Sequence, residues 1–280
     1  MEEEQKKKLE PILLACEAAR AASEIMKNRP SKSEIEQKGN ASNYVTMADK
    51  QVQSDLEQRL PKVIEGSVVL GEEGDAWDCD AEYVWVVDPI DGTSNFIRDL
   101  GASVISIGLF RQKQIYGGVI YNPYRDEMFY ALKGQGAYLN GERIHVSDRD
   151  FTHSHLCSAM SLYKKEYAAP CYNIIKEVYE QADDLRRFGA AALELALLAA
   201  GRVELYFEMR LFPWDMAAGA ILIGEAGGYW ECLYEEGMPM DKLTPFIAAN
   251  TKESFDRLRK IVCREIPKVP YEQSVRKQLG

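Results

Sequence analysis

The sequence predicts a mixed fold, α+β passing into α/β: an antiparallel-sheet half over about residues 1–150, then a mostly parallel α/β half over 151–280. Apolar runs of strand length recur between 68 and 146 at about 8 to 12 residue intervals with turn residues between them, which is the spacing of hairpins. From about residue 155 such runs alternate instead with helix-length amphipathic or apolar stretches. No Pro/Ser-rich linker, repeat or low-complexity tract separates the two patterns.

In chain order, Leu9, Ile12, Leu13, Cys16, Ala19, Ala22 and Met26 recur at three- and four-residue spacing, which predicts a helix ending before Pro30. Residues 31–43 are polar and include Gly39, so they read as a loop with some mobility. A second helix is expected over 48–60. Strands follow at 68–70, 84–87, 103–110, 116–121, 128–132 and 137–139, the last closed by the Asn140-Gly141 turn. In the second half, strands at 156–160, 185–188, 203–207 and 246–249 alternate with helices at 168–181, 190–200, 214–225 and 252–264.

The chemistry concentrates in Asp88-Pro89-Ile90-Asp91-Gly92-Thr93-Ser94-Asn95-Phe96. The apolar run 84–87 delivers Asp88 to a strand tip, where Pro89, lacking an N–H, ends the ladder. Asp91 turns to the same point, and Gly92 permits close approach of backbone N–H groups to an anion. Thr93-Ser94-Asn95 starts a helix whose free N–H groups favour phosphate. Two further segments add carboxylates: Gly71-Glu72-Glu73 after an apolar run, and Pro213-Trp214-Asp215-Met216-Ala217-Ala218-Gly219 at the start of an apolar helix.

These three segments, in this order and spacing, resemble the inositol monophosphatase family of metal-dependent, lithium-sensitive phosphatases, bacterial type, over about residues 9–264. The resemblance implies a layered αβαβα sandwich of the sugar-phosphatase type and a homodimer. It implies that Glu72, Asp88, the carbonyl of Ile90, Asp91 and Asp215 ligate Mg²⁺, two or three ions per site, with Mn²⁺ as a substitute. Glu73, Thr93 and Asp49 match positions that polarise the attacking water or hold a further metal, and Lys38 matches a lysine on a mobile loop. Asp91, Gly92, Thr93 and Ser94, with Gly189, Ala191 and Glu208, fall on the substrate side. Taken singly, Glu73 also fits an exposed carboxylate, Asp49 a capping residue after Thr46, and Glu208 a surface strand residue. Ala190 stands where several sugar-alcohol phosphatases carry a hydroxyl residue, and Arg210-Leu211-Phe212-Pro213 departs from the animal members, which leaves the leaving alcohol open.

Composition narrows the alternatives. A net charge of −10 argues against nucleic-acid binding, and no run of ~18 apolar residues suggests a membrane span. The mixed-charge start, Met1-Glu2-Glu3-Glu4-Gln5-Lys6-Lys7-Lys8, does not read as a secretory leader, so a cytoplasmic location is expected. The six cysteines lack Cys-x-x-Cys spacing, and the three histidines, His145, His153 and His155, lie between the halves; the ligand set that the resemblance implies holds neither residue type, is oxygen-only, and suits Mg²⁺ or Mn²⁺ over zinc. A phosphoaspartate route would want Asp-x-Asp spacing, whereas Asp88 and Asp91 are three apart; no cysteine has an arginine at the Cys-x₅-Arg offset, and Ile90 breaks the oxygen pattern that an EF-hand loop needs.

The expected reaction is hydrolysis of inositol monophosphate or a related sugar or polyol phosphate by in-line attack of metal-activated water. Fructose 1,6-bisphosphate and 3′-phosphoadenosine 5′-phosphate are the rival substrates, Ser94-Asn95-Phe96 leaning away from the nucleotide branch. A regulatory protein that keeps the fold is the non-enzyme alternative.

Overall fold

The computed structural model describes residues 3–28, 30–31, 34–37, 44–74, 80–159, 165–240 and 242–266. Helix α1 (Glu3–Ala22) runs into a 3₁₀ turn at Ser23–Lys27, and short strands β1 (Ile35–Gln37) and β2 (Tyr44–Thr46) pair antiparallel. Part of the polar segment expected to be loop is therefore strand. Residues 38–43, with Lys38, lie outside the described residues. Helix α2 (Met47–Val63) starts on a reciprocal cap, Asp49 Oδ2 accepting from the Thr46 amide at 2.7 Å while the Asp49 amide donates to Thr46 Oγ1.

A seven-stranded sheet follows in sequence order: β3 (Val68–Gly71), β4 (Tyr83–Asp91), then, after helix α3 (Thr93–Arg98), β5 (Val104–Arg111), β6 (Gln114–Asn122), β7 (Glu127–Leu132), β8 (Gly136–Leu139) and β9 (Glu142–Ile144). It is antiparallel except for the β3–β4 pair, which is parallel. The second sheet holds β10 (His155–Ala159), β11 (Asp184–Arg186), β12 (Leu205–Leu211), β13 (Tyr229–Cys232) and β14 (Thr244–Ala249), in the order β11-β10-β12-β14-β13. Four of its strands, β10, β11, β12 and β13, run the same way, as expected of a mostly parallel sheet, and β14 alone opposes them. Helix α4 (Ala168–Tyr179), helix α5 (Ala191–Ala199) and helix α6 (Pro213–Glu225) each link strands that run the same way, and β14 then inserts antiparallel between β12 and β13. β13 is four residues long, Tyr-Trp-Glu-Cys, and the charge of Glu231 keeps it from reading as an apolar run. Helix α7 (Lys252–Glu265) closes the described chain.

The layers run α1/α2, seven-stranded sheet, α5/α6, five-stranded sheet, α4/α7, the αβαβα sandwich that the resemblance implied. Residues 84–87 of β4 are all apolar because both faces are covered: Trp85 and Val87 pack toward α1 and α2, Val84 and Val86 toward α5 and α6. The middle helices lie close to the sheet. A Cβ on Gly108 would come within 2.7 Å of the Ala217 Cβ, so the missing side chain lets α6 settle on β5. Among the described residues no helix is long and apolar enough to cross a membrane.

Candidate metal and phosphate site

β4 does not stop at Pro89, as the sequence reading had it, but continues to Asp91 through a bulge. Asp88 pairs with Ser106 and Asp91 with Val104, so three steps on β4 match two on β5. The reason is geometric. Residues three apart on a regular strand point to opposite faces, and one extra residue returns Asp91 to the face of Asp88. The missing Pro89 N–H falls where the ladder is already interrupted, and Ile90 turns into the opposite core. Both aspartates thus face α5 and α6, as does Ser106, whose Oγ donates to the Trp214 carbonyl at 3.0 Å and ties β5 to the start of α6.

Each remaining carboxylate is held by a local device. Pro213 opens α6 and Asp215, in its first turn, accepts from the Phe212 amide at 2.8 Å. Glu72 and Glu73 follow β3, the Glu72 amide bonding the Val87 carbonyl at 3.1 Å and the Glu73 amide bonding Gln53 Oε1 at 2.8 Å. Gln53 explains Gly71: a Cβ there would fall 2.2 Å from the Gln53 amide carbon. Thr93 Oγ1 lies 3.1 Å from the Ile90 carbonyl and 3.3 Å from Asp49 Oδ1, two acceptors that its one proton can serve only in turn. Asp49 is therefore both a capping residue and a partner of the Asp-Gly-Thr turn.

Asp91 is the most firmly placed. Its Oδ1 accepts from the Ala191 amide at 3.1 Å and its Oδ2 from the Ala192 amide at 2.7 Å, so the exposed amides of the α5 N-terminus hold it. Burial nevertheless pushes its pKa up to about 6. Burial, then the charges of Glu72, Asp91, Asp215 and Asp49, raise Asp88 well above the usual carboxylate range; burial, Asp91 and Glu72 do the same to Asp215. Five carboxylates thus share one electrostatic neighbourhood.

This donor set suits a hard divalent cation in type, all oxygen, and in charge, since a cation would relieve the repulsion that disfavours ionisation. Among the described residues no three Asp, Glu, His or Cys side chains are arranged to hold an ion as they stand; Asp91 directs both oxygens to amides and Asp215 one.

The other wall comes from the second sheet and α5. Gly92 (φ +84) packs on the turn before α5, a Cβ there meeting the Ala102 carbonyl and the Ala190 Cβ at 3.0 Å each. Gly189, Ala190 and Ala191 lie against the Asp91–Gly92 turn, and Ser94 sits one helix position beyond Thr93, its Oγ accepting from Arg98 at 2.5 Å. Glu208 is not the surface strand residue it could have been: it is buried on β12, accepts from the Tyr206 hydroxyl at 2.9 Å, and is pushed up to about 8 by burial and then by Glu194. Glu194 and Gln53 escaped the sequence reading. The signal for Glu194 was there, a single carboxylate inside the apolar stretch Ala191-Ala192-Leu193-Glu194-Leu195-Ala196.

A sequence model of the inositol monophosphatase family matches residues 8–266. The protein named Nus factor SuhB of Escherichia coli (strain K12) is 38% identical over 226 residues, 79% of this chain and 84% of the relative. The fructose-1,6-bisphosphatase/inositol-1-monophosphatase of Aquifex aeolicus is 33% identical over 222 residues, 78% of this chain and 84% of the relative. Among solved structures, the inositol monophosphatase of Anabaena (Nostoc) superposes with a TM-score of 0.77 at 30% identity, covering 91% of this chain and 96% of that one. With the match spanning both sheets and all five layers, this chain belongs to the inositol monophosphatase family.

Proposed function

We propose that the protein is a Mg²⁺-dependent phosphomonoesterase acting on inositol monophosphate or a related sugar or polyol phosphate. One observation carries this reading: Asp88 is buried among Glu72, Asp91, Asp215 and Asp49, brought from four separate stretches of chain into one field of negative charge. Such a field repels a phosphate dianion unless cations stand between them. The family is generally metal-dependent, and Glu72, Asp88, the Ile90 carbonyl, Asp91 and Asp215 are the residues that would hold the ions. When bound, Mg²⁺ supplies charge compensation for the phosphate and Lewis acidity toward water and the departing oxygen.

The chain's own groups divide the remaining work. Thr93, shared between the Ile90 carbonyl and Asp49, would accept a proton from water while passing its own to the Asp49 carboxylate, a reading its two contacts support. Glu73, with its amide fixed by Gln53, would orient that water. The amides following Gly92 face the phosphate side, and Gly189, Ala191 and Glu208 the alcohol. Both named activities of the Aquifex relative fall within this substrate class. The E. coli relative carries a factor's name instead of a reaction's, which supports a second reading, a regulatory role beside or in place of catalysis. Phosphate release from a panel of purified esters, with and without Mg²⁺, tests the first; an Asp215→Asn chain that retains a cellular role would support the second.

A further inference from the structure

The turn joining β11 to α5 is held almost wholly by two side chains. Glu194 Oε1 accepts from the Phe188 amide at 2.6 Å and the Gly189 amide at 3.0 Å. From the other side Asn95 Nδ2 donates to the Phe188 carbonyl at 2.7 Å and the Gly189 carbonyl at 3.3 Å, and also to the Ala102 carbonyl at 2.7 Å. Both polar backbone groups of Phe188 and of Gly189 are therefore satisfied by side chains, one from α3 and one from α5. The next two amides, of Ala191 and Ala192, go to Asp91.

This is an expensive way to close a turn. Glu194 is 1% exposed inside an apolar helix, where burying a carboxylate is strongly unfavourable, and a turn needs only backbone hydrogen bonds or water to satisfy its polar groups. What the arrangement achieves is position. Asn95 belongs to the same short helix as Thr93, Glu194 to the same helix as the amides that hold Asp91, and Gly189 with Ala190 is wedged between them against Gly92.

We propose that Glu194 and Asn95 are paired positioning residues that fix the Phe188–Ala191 turn against the Asp91–Gly92 turn, and so set the width of the site on its alcohol side. The inference rests on the phosphatase reading and deepens it: selectivity for a polyol-sized alcohol is held by two residues that touch no substrate.

Two measurements on Glu194→Ala, with Glu194→Gln as the conservative variant, test it. Amide hydrogen exchange at Phe188 and Gly189 should accelerate by about tenfold or more in Glu194→Ala and stay near the parent rate in Glu194→Gln, which keeps the acceptor. In kinetics with Mg²⁺, Glu194→Ala should raise KM for inositol 1-phosphate by about tenfold with kcat within roughly threefold, and leave KM for p-nitrophenyl phosphate, which has no polyol to position, near the parent value. Asn95→Ala should raise the same KM. Unchanged exchange at Phe188 and Gly189, or equal losses on both esters with kcat falling in parallel, would overturn the proposal. If the parent protein hydrolyses neither ester, the phosphatase reading fails by itself, and the exchange rates still decide whether the clamp exists. Should Glu194→Ala not fold, Glu194→Asp, one methylene short, is expected to show the same directions at smaller size.

Discussion

The carboxylate of Asp91 and the amide of Ala192 meet at 2.7 Å across 101 residues of sequence. This contact joins the bulged end of β4 to the first turn of α5 and separates two aspartates that the sequence presents as equivalents. Asp91 accepts on both oxygens; for Asp215 one acceptor bond, from the Phe212 amide, is seen.

Asp215→Asn and Asp91→Asn should therefore both abolish turnover, and differ in stability. In metal-free buffer Asp215→Asn should stabilise by ~1–3 kcal/mol, since it removes a charge whose ionisation is opposed by burial and by Asp91 and Glu72. Asp91→Asn should gain less, because an amide offers one acceptor where two N–H groups point. Thermal unfolding in chelator beside phosphate-release assays checks both. A variant that loses activity by unfolding would make its aspartate structural.

Glu208 and Glu194 predict a pH dependence of the metal-free fold. Their folded pKa values, pushed up to about 8 and about 7, lie above the ordinary 4.5, so the native state holds these protons more tightly than the unfolded chain. Their contribution is intact below that ordinary value and lost as pH rises through the folded values, at ~1.4 kcal/mol for each tenfold difference in proton affinity. Denaturant unfolding in chelator should show stability falling between about pH 5 and about pH 9, with Glu208→Gln flattening the slope. The same variant should raise KM more than it lowers kcat.

Gly92→Ala tests the wall between the two turns. At φ +84, with the Ala102 carbonyl and Ala190 Cβ each 3.0 Å from the new atom, it should cost ~1–3 kcal/mol and most of the activity. Gly134→Ala is the control, with φ +74 and nothing within 4 Å of the added Cβ; it should cost ~1 kcal/mol and leave turnover unchanged. Equal behaviour of the two would mean that packing at Gly92 is immaterial.

What was legible in the sequence follows the physics of each signal. The helices around Leu9–Ala22 and Val52–Leu60 announced themselves because a buried face imposes a period on apolar residues, and the strand from Val84 because burial on both faces makes a continuous apolar run. The Thr46–Asp49 cap was readable because it is local. The β4 bulge was not: Pro89 suggests the end of a strand, and only pairing with Ser106 and Val104 reveals that the ladder resumes. Edge strand β13 was hidden because four residues interrupted by Glu231 are too short to show a period, and the antiparallel entry of β14 by the fact that strand direction is a property of pairing. Asp88, Asp91 and Asp215 could be singled out by motif. The roles of Gln53, Asn95 and Glu194 lie in contacts to backbone groups 5 to 94 residues away, none of which follows a helix or strand period.

The central claim is that a carboxylate cluster does phosphate chemistry through divalent cations. Phosphate release from inositol 1-phosphate by the purified protein, measured in Mg²⁺, in excess chelator, in Ca²⁺ and in Mg²⁺ with lithium, tests it most directly. The account predicts turnover in Mg²⁺, loss in chelator with recovery on adding Mg²⁺ back, inhibition by Ca²⁺, whose looser coordination relaxes the geometry, and inhibition by lithium at about tens of millimolar. Full activity in chelator, or hydrolysis that survives Asp215→Asn, would contradict it.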